Sequence, residues 1–283
     1  MLVNMNKMLL KAYKEKYCVP HFNINNLEWT KFILEASESV RSPIILGVSE
    51  GAIKYFGGYH VVVNVVKSLI RDLSITVDVA LHLDHGTSYE SCKKAIDAGF
   101  TSVMIDASKY SLEDNIYLTK KVVNYAHPFN VTVEGEIGHI GGVEDGVINE
   151  ILYTNVKEAK MFYENTNIDF LAPALGSVHG LYNGEPKLAM DRMLQISQEL
   201  QIPLVLHGGT GISDELIKKA ISCGINKLNI NTELQIIWTN EVRKFLDNDV
   251  KVYDPRKIIK SGELALKNAV INKIEILGSK NKA

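Results

Sequence analysis

The chain has few cysteines, little net charge and no long apolar run, and each shortage excludes a class of protein. Three of its 283 residues are cysteine, none in a CxxC pair, which argues against a disulfide scaffold and favours a reducing compartment. A formal charge of −2 gives no reason to expect nucleic acid or an anionic membrane as partner. No apolar run approaches the roughly 20 residues of a membrane span, and no signal-peptide pattern is present. We therefore expect a soluble, cytoplasmic protein.

Short apolar runs alternate with amphipathic stretches along the whole chain. Several runs are nearly continuous in Val, Ile and Leu, as in strands buried on both faces. This order predicts an α/β fold: a single (β/α)8 TIM barrel over residues 1–283, with an N-terminal helix and a C-terminal helical extension. An open doubly wound sheet is the alternative. The eight predicted strands are Tyr17–Ile24, Pro43–Ser49, Val77–Asp84, Thr101–Ala107, Val131–Ile137, Phe170–Leu175, Pro203–His207 and Lys227–Asn231.

The segments between the runs have helical periodicity and connect the predicted strands. An N-terminal helix is expected within Met1–Lys16, where four lysines alternate with apolar residues. The predicted helices of the barrel are Glu28–Val40, Tyr89–Ala98, Leu112–Ala126, Thr154–Asn165, Leu188–Leu200 and Asp214–Ser222. In such a barrel the active site lies at the carboxyl ends of the strands.

Three histidines, His85, His179 and His207, each close a strand-like run and precede a glycine. A single histidine in such a place is more often a hydrogen-bonded structural residue. Three at strand ends that meet on one face of a barrel predict a metal site, because neutral imidazole is the commonest zinc ligand and catalytic zinc takes three protein ligands. The chain contains no HxH motif, which argues against the common zinc-hydrolase barrels.

Three carboxylates accompany the histidines at predicted strand ends: Asp84, Asp106 and Glu136. Asp84 and His85 can face one site only if the strand ends or bends there, because strand side chains alternate between faces. A carboxylate in this place can orient a metal ligand or move a proton. A helix cap is the simpler alternative for Asp84, and a metal ligand or a salt bridge remains open for Asp106 and Glu136.

Two glycine-rich segments stand near the predicted site. The segment Gly135–Val147 contains five glycines, a density that favours a mobile active-site lid. The run His207–Ser213 precedes the helix expected at Asp214, so its glycines and hydroxyls predict a phosphate cradle. The final strand end, Lys227–Thr232, lies beside it in a barrel, where phosphate sites often follow strands seven and eight.

Taken together, these motifs resemble the class II, metal-dependent fructose-bisphosphate aldolases, including the tagatose-bisphosphate branch. The resemblance extends over nearly the whole chain, and its HLDHG and LHGGTG blocks are highly specific. The motifs are HFNINNLEW (21–29), GVSEGA (47–52), HLDHG (82–86), SVMIDAS (102–108), VEGEIGHIGGVEDG (133–146), APALGSVHG (172–180), VLHGGTGI (205–212), NINTE (229–233) and YDPRK (253–257).

The resemblance implies a role for each group near the metal. His85, His179 and His207 would bind the catalytic Zn²⁺, which stabilises the enediolate formed when the sugar bisphosphate is cleaved. Asp84 would exchange a proton with the substrate's C4 oxygen, and Glu144 with C3 of dihydroxyacetone phosphate. The acids Asp106 and Glu136 would stand near the ion, or bind it at a second Zn²⁺ position. No lysine Schiff base is then needed.

The resemblance also implies how the substrate is held. One phosphate and its neighbouring oxygens would be bound by Gly180, Gly208, Thr210, Asn229 and Thr232. Asn23 and Ser49 would make further contacts. Arg256 would reach the other phosphate from a neighbouring subunit, which implies a homodimer or homotetramer. A monovalent cation, Na⁺ or K⁺, is expected near the His-Gly loops.

The substrate is expected to be fructose 1,6-bisphosphate rather than its C4 epimer. Asn231 is polar where tagatose-type relatives often carry alanine, and a site built around a hydrogen bond discriminates better than an apolar one. Tagatose 1,6-bisphosphate and the phosphorylated deoxy-keto-gluconate of inositol catabolism remain alternatives. A barrel that binds metal and phosphate without catalysis is disfavoured, since it would require neither Asp84 nor all three histidines. His139 departs from many relatives, and we favour a neutral change there. Gln235 stands where some relatives use arginine toward the distal phosphate, so binding of that phosphate is expected to depend more on Arg256.

Overall fold

Eight parallel strands close into a barrel in the computed structural model. It describes residues 2–138, 140–144, 147–149, 153–182 and 184–283, with the side chains of 141–149 left out. The strands in chain order are β1 Val19–Asn23, β2 Ile44–Ser49, β3 Val79–Gly86, β4 Ser102–Ile105, β5 Thr132–Ile137, β6 Gly141–Glu144, β7 Val147–Asn149, β8 Phe170–Pro173, β9 Val178–His179, β10 Leu204–Leu206 and β11 Ile225–Ile230. The barrel order is β1-β11-β10-β8-β5-β4-β3-β2, and a small second sheet has the order β7-β6-β9. The predicted barrel is confirmed, and each of the eight predicted runs contributes one barrel strand.

Helices cover the outside of the barrel and its opening at the amino-terminal ends of the strands. They are α1 Asn6–Glu15, α2 Leu27–Ser39, α3 Glu50–Phe56, α4 Tyr59–Asp72, α5 Tyr89–Ala98, α6 Leu112–Ala126, α7 Val156–Thr166, α8 Met190–Leu200, α9 Asp214–Ser222, α10 Thr232–Asn248, α11 Pro255–Lys260 and α12 Glu263–Ile276. Asn26, Ser88, Ser111 and Ser213 are N-cap residues whose side chains accept backbone N–H bonds. The N-terminal helix and the C-terminal extension (α11 and α12) are as expected. Among the residues described, no helix is both long and apolar enough to cross a membrane.

The structure adds to the sequence prediction in two places. The glycine-rich segment Gly135–Val147 contains strand residues: Gly135 lies inside β5, within the predicted run Val131–Ile137, and β6 pairs antiparallel with β7 and parallel with β9. A side chain at position 135 would meet Phe162 of α7 at 2.8 Å, so this glycine serves packing. The helices α3 and α4 were not expected, and the stretch between β2 and β3 holds both of them. The mobility of the glycine-rich segment stays a prediction.

The barrel interior is built in three layers along the strands. The lowest layer is apolar and includes Val19, Ile45, Ala80, Phe170 and Val205, packed against the buried face of α1 (Met8, Leu9 and Ala12). Two residues further along their strands lie the middle-layer side chains His21, His82, Glu134 and Lys227, all fully buried. Two residues further again come Asn23, Asp84, Glu136 and Asn229. The helix α1 therefore seals the amino-terminal end, and the polar side chains face the carboxyl end.

Candidate active site

The three predicted metal ligands converge at the carboxyl end of the barrel. His85 is in β3, His179 in β9, and His207 directly follows β10. Their ring centroids are 4.7 Å apart for His85 and His207, 4.8 Å for His85 and His179, and 5.7 Å for His179 and His207. One ring nitrogen from each lies within 4.8 Å of the others. Side chains from three separate strands thus form one imidazole cluster.

The end of β3 is bent, as the adjacency of Asp84 and His85 required. Pairing with β4 shifts register between Leu83 and Gly86, and His85 has a left-handed φ of 50°. Gly86 is necessary here, because a Cβ would lie 2.6 Å from the carbonyl oxygen of Met104. The bend turns both Asp84 and His85 toward the same space. A non-glycine residue in a left-handed conformation is uncommon and often marks a functional site.

The two amides Asn23 and Asn229 hold the carboxylate of Asp84. Asn23 Nδ2 donates to Oδ2 at 2.8 Å, and Asn229 Nδ2 donates to Oδ1 at 3.3 Å. Burial alone would raise the pKa of Asp84, but the nearby His21, His85 and His207 outweigh it and hold the pKa well below its usual value. Asp84 is therefore a charged carboxylate held in one orientation by two amides.

Asp106 and Glu136 contact the cluster on the other side of His85. Asp106 Oδ2 lies 2.9 Å from His85 Nδ1, and Glu136 Oε2 lies 4.0 Å from the same nitrogen. Burial opposes a charge on His85, yet its hydrogen bond to Asp106 and the charges of Asp84, Asp106 and Glu136 raise its pKa well above the usual value. Burial, followed by the charge of Asp106, raises the pKa of Glu136.

The donor sets fit metal ions at two neighbouring positions that share His85. The first is the imidazole cluster, a set of nitrogen ligands suited to zinc. Burial and the charge of His85 lower the pKa of both His179 and His207 well below the usual value, which favours the neutral form of these two rings. The second set is His85 with Asp106 and Glu136. A third set, His21, His82 and Asp84, is fully buried beneath the first.

A cleft opens above the imidazole cluster and collects most of the residues predicted to bind substrate. Seven of the nine predicted substrate residues line it: Asn23, Gly180, Gly208, Thr210, Asn229, Asn231 and Thr232. Ser49 is not among the lining residues, and its Oγ accepts the N–H of Ala52 at the start of α3. Arg256 is 89% exposed and forms an ion pair with Asp254, outside the cleft of its own chain. The side chain of Glu144 and the whole of His139 lie outside the described residues.

The helix whose amino end borders the cleft is α10, not α9 as the sequence suggested. Thr232, its first residue, lines the cleft. Thr210 Oγ1 accepts the N–H of Glu233 in the same first turn, so it binds the His207–Ser213 loop to α10. Ser213 caps α9 and is absent from the cleft lining. The helix dipole that favours an anion in the cleft is therefore that of α10.

Tyr182 connects two of the loops around the cleft. Its hydroxyl accepts the N–H of Val178 at 3.1 Å and donates to the carbonyl oxygen of Gly208 at 3.0 Å. Burial raises the pKa of Tyr182 to about 12, so the hydroxyl remains a donor. The backbones are in close contact here, because a Cβ on Gly208 would lie 2.1 Å from the oxygen of Val178.

The sequence analysis did not predict that the middle-layer residues form part of the site. Glu134 accepts from His207 Nε2 at 2.9 Å and from Lys227 Nζ at 2.7 Å. His82 Nδ1 lies 2.9 Å from Ser102 Oγ, and burial together with Lys227 lowers the pKa of His21 to about 3. A signal was available, since each middle-layer residue stands two positions before a polar residue of the upper layer and must face the same way.

Comparison with known proteins agrees with this site. A family model described as "Fructose-bisphosphate aldolase class-II" matches residues 3–282. The chain is 56% identical to fructose-bisphosphate aldolase of Geobacillus stearothermophilus and 53% identical to that of Staphylococcus aureus, over 100% of this chain and 99% of each relative. Among solved structures it resembles the YdjI aldolase of Escherichia coli K12 (TM-score 0.88, 33% identity, 100% of both chains). It also resembles a putative fructose-1,6-biphosphate aldolase of Coccidioides immitis (TM-score 0.87, 30% identity, 98% of this chain and 96% of that one).

Proposed function

Because this chain belongs to the class II fructose-bisphosphate aldolase family, a family of metal-dependent lyases, we propose that it cleaves fructose 1,6-bisphosphate reversibly. The products are dihydroxyacetone phosphate and glyceraldehyde 3-phosphate. The observation that carries the proposal is the position of Asp84 beside three histidines, in one cleft with seven residues predicted to bind substrate. Residues 1–283 are taken as one barrel domain.

The resident metal is proposed to be zinc, held by His85, His179 and His207. When bound, it supplies a Lewis acid that polarises the ketone of the substrate and stabilises the negative charge left by cleavage. Asp106 and Glu136 are proposed to orient His85, or to bind the ion at the second position. A monovalent cation beside the His-Gly loops is part of the proposal.

Asp84 is proposed to be the base of the cleavage direction. Its carboxylate takes the proton of the C4 hydroxyl, the C3–C4 bond breaks, and its electron pair stays with the dihydroxyacetone phosphate half. The other half leaves as the aldehyde. Protonation at C3 then completes the reaction, a step that we assign to Glu144. Asn23 and Asn229 keep Asp84 aimed at the C4 oxygen through the hydrogen bonds described above.

Among the described residues, no lysine lines the cleft to serve as a covalent nucleophile. Lys227 lies in the barrel interior, and its ammonium group is fully buried against Glu134. It does not line the cleft. A Schiff base would require an amine in reach of the substrate carbonyl, and Lys227 lies one layer below.

The preference for fructose over tagatose bisphosphate rests on Asn231. Its Oδ1 is buried and has no hydrogen-bond partner in the described part of the chain, although the residue lines the cleft. An unsatisfied buried acceptor is costly, so we propose that a hydroxyl of the substrate satisfies it. This polar contact favours the fructose configuration, with tagatose 1,6-bisphosphate and the inositol-pathway substrate as the alternatives.

The second phosphate is proposed to be bound across a subunit interface. Arg256 and Tyr253 are 89% (side chain) and 91% exposed, respectively, and neither lines the cleft of its own chain. An exposed arginine beside an exposed tyrosine suits a contact with a neighbouring copy, so we propose a homodimer or homotetramer. A cytoplasmic setting is proposed because Cys18, Cys92 and Cys223 are all buried free thiols.

The test is aldol cleavage of fructose 1,6-bisphosphate beside tagatose 1,6-bisphosphate, before and after chelation and with zinc added back. We expect cleavage that prefers fructose, disappears on chelation and returns with zinc. A preference for tagatose would overturn the argument from Asn231 alone. Full activity after thorough chelation would overturn the metal mechanism, and failure to cleave either sugar would favour the inositol-pathway substrate.

A further inference from the structure

We propose that Glu134, with Lys227 as its counter-ion, is a positioning residue that selects the tautomer of His207. Both side chains are fully buried in the middle layer of the barrel, and neither lines the cleft. They therefore cannot touch the substrate. Their contact with the site is the hydrogen bond from His207 Nε2 to Glu134 Oε1, at 2.9 Å.

The tautomer follows from the chemistry of the two partners. An ionised carboxylate can only accept hydrogen bonds, and a neutral imidazole carries one N–H. Nε2 of His207 must then hold the proton, which leaves a lone pair on Nδ1. That nitrogen lies 2.9 Å from Nε2 of His85, inside the imidazole cluster. Glu134 therefore directs Nδ1 of His207 toward the metal position.

Lys227 supplies the counter-charge of this carboxylate. Its Nζ lies 2.7 Å from Glu134 Oε2, and both side chains are 0% exposed. A buried carboxylate without a counter-charge is strongly unfavourable. The ion pair thus serves the orientation of a ligand as well as the packing of the barrel.

The inference rests on the proposed function only in taking His207 as a metal ligand. A carboxylate that orients a ligand histidine also raises its basicity, and its loss usually lowers metal affinity about 10–100-fold. The free-energy difference is realised when the ion binds, before any substrate arrives. It can therefore be measured without an aldolase assay.

The first experiment compares Zn²⁺ affinity, by competition with a chelator, in the wild-type enzyme and in Glu134→Gln. Glutamine keeps the size of the side chain, but its amide can donate as well as accept, so both tautomers of His207 become available. We expect a fall in affinity of about 10–100-fold. The matched control is Ser102→Ala, which removes the partner of His82, a buried barrel histidine outside the imidazole cluster, and should leave the affinity unchanged.

A second readout records the tautomer directly. In the metal-free wild-type enzyme with ¹⁵N-labelled histidine, long-range ¹H–¹⁵N spectra should show His207 protonated at Nε2, and the Gln variant should show a mixture. Glu134→Gln leaves Lys227 buried without its partner and can fail to fold. The double variant Glu134→Gln with Lys227→Met removes the charge of both groups and should fold, with the same loss of zinc affinity.

The outcomes separate the inference from the proposed function. Weaker zinc binding with a mixed tautomer supports the inference, even if the wild-type enzyme cleaves neither ketose bisphosphate. Unchanged zinc affinity in a folded variant overturns it, as does protonation of wild-type His207 at Nδ1. An equal loss of affinity in Ser102→Ala also overturns it, because any disturbance of the barrel interior would then have the same effect.

Discussion

The backbones of Gly208 and Val178 are in close contact beside the cleft, so Gly208→Ala should displace the two loops that carry His179 and His207. The added Cβ would lie 2.1 Å from the Val178 oxygen, which is a backbone atom, and φ at this position is +68°. Ordinary contacts begin near 3.5 Å, so the two loops must separate by roughly 1 Å. A left-handed φ costs an alanine a further 1–2 kcal/mol or so.

The displacement acts directly on the site, because Val178 precedes His179 and Gly208 follows His207. A 1 Å misplacement costs catalysis about 100-fold, and we expect Gly208→Ala to lose kcat/KM by at least about that factor. Gly211→Ala is the matched control: its φ is +82°, but its Cβ would lie 3.5 Å from Tyr182. The control should lose stability and little activity. A folded Gly208→Ala enzyme within threefold of wild type, about 0.6 kcal/mol, would refute the reasoning.

Three further predictions concern the base, the bridge between loops and pH. Asp84→Asn should lower kcat about 10²–10⁴-fold while zinc affinity, measured by chelator competition, stays unchanged; a small loss would show that another group moves the proton. Tyr182→Phe removes the two hydrogen bonds that connect the loops of Val178 and Gly208, about 1–3 kcal/mol in total. Steady-state kinetics should then show a higher KM with a nearly constant kcat. An unchanged KM would contradict a role of Tyr182 in holding these loops together. Burial tends to raise the pKa of Glu38, but hydrogen bonds from Thr76 and its neighbours lower it from 4.5 to about 2. The resulting stabilisation is therefore complete above pH 4.5 and is lost as the pH falls toward 2. Urea unfolding of Glu38→Gln should show a deficit of about 1–2 kcal/mol at pH 7 that disappears in acid, with exposed Glu241→Gln as the control; a deficit independent of pH would exclude this origin.

The barrel was predictable because its strands are buried on both faces. Such strands appear in the sequence as continuous apolar runs, and all eight were found. The stretch with α3 and α4 was not assigned, since Gly57 and Gly58 interrupt its helical pattern. Gly57 ends α3 with a left-handed φ of 99°, which is a usual role for glycine at a helix end.

The upper layer of the site was predictable from its strand-end motifs, while the layer beneath it was not. His85, His179 and His207 each stand out beside a glycine at the end of an apolar run. Lys227 and Glu134 have no such context, and in a sequence a lysine is normally taken as exposed. Their hydrogen bond joins residues 93 positions apart in the sequence, and these residues meet only when the barrel closes. The amides of Asn23 and Asn229 were assigned to the substrate, whereas their contact with Asp84 depends on the same closure.

That partnership has a consequence for the order in which the protein is made. A ribosome releases Glu134 long before Lys227, and β1 must wait for β11 to complete its pairing, Val19 beside Lys227. Until then Glu134 lacks the buried ammonium group that compensates its charge in the folded barrel. Pairing of Glu134 with Lys227 and closure of the barrel therefore depend on the same strand, which is synthesised late. A chain truncated before β11 should accordingly remain a substrate for chaperones and proteases.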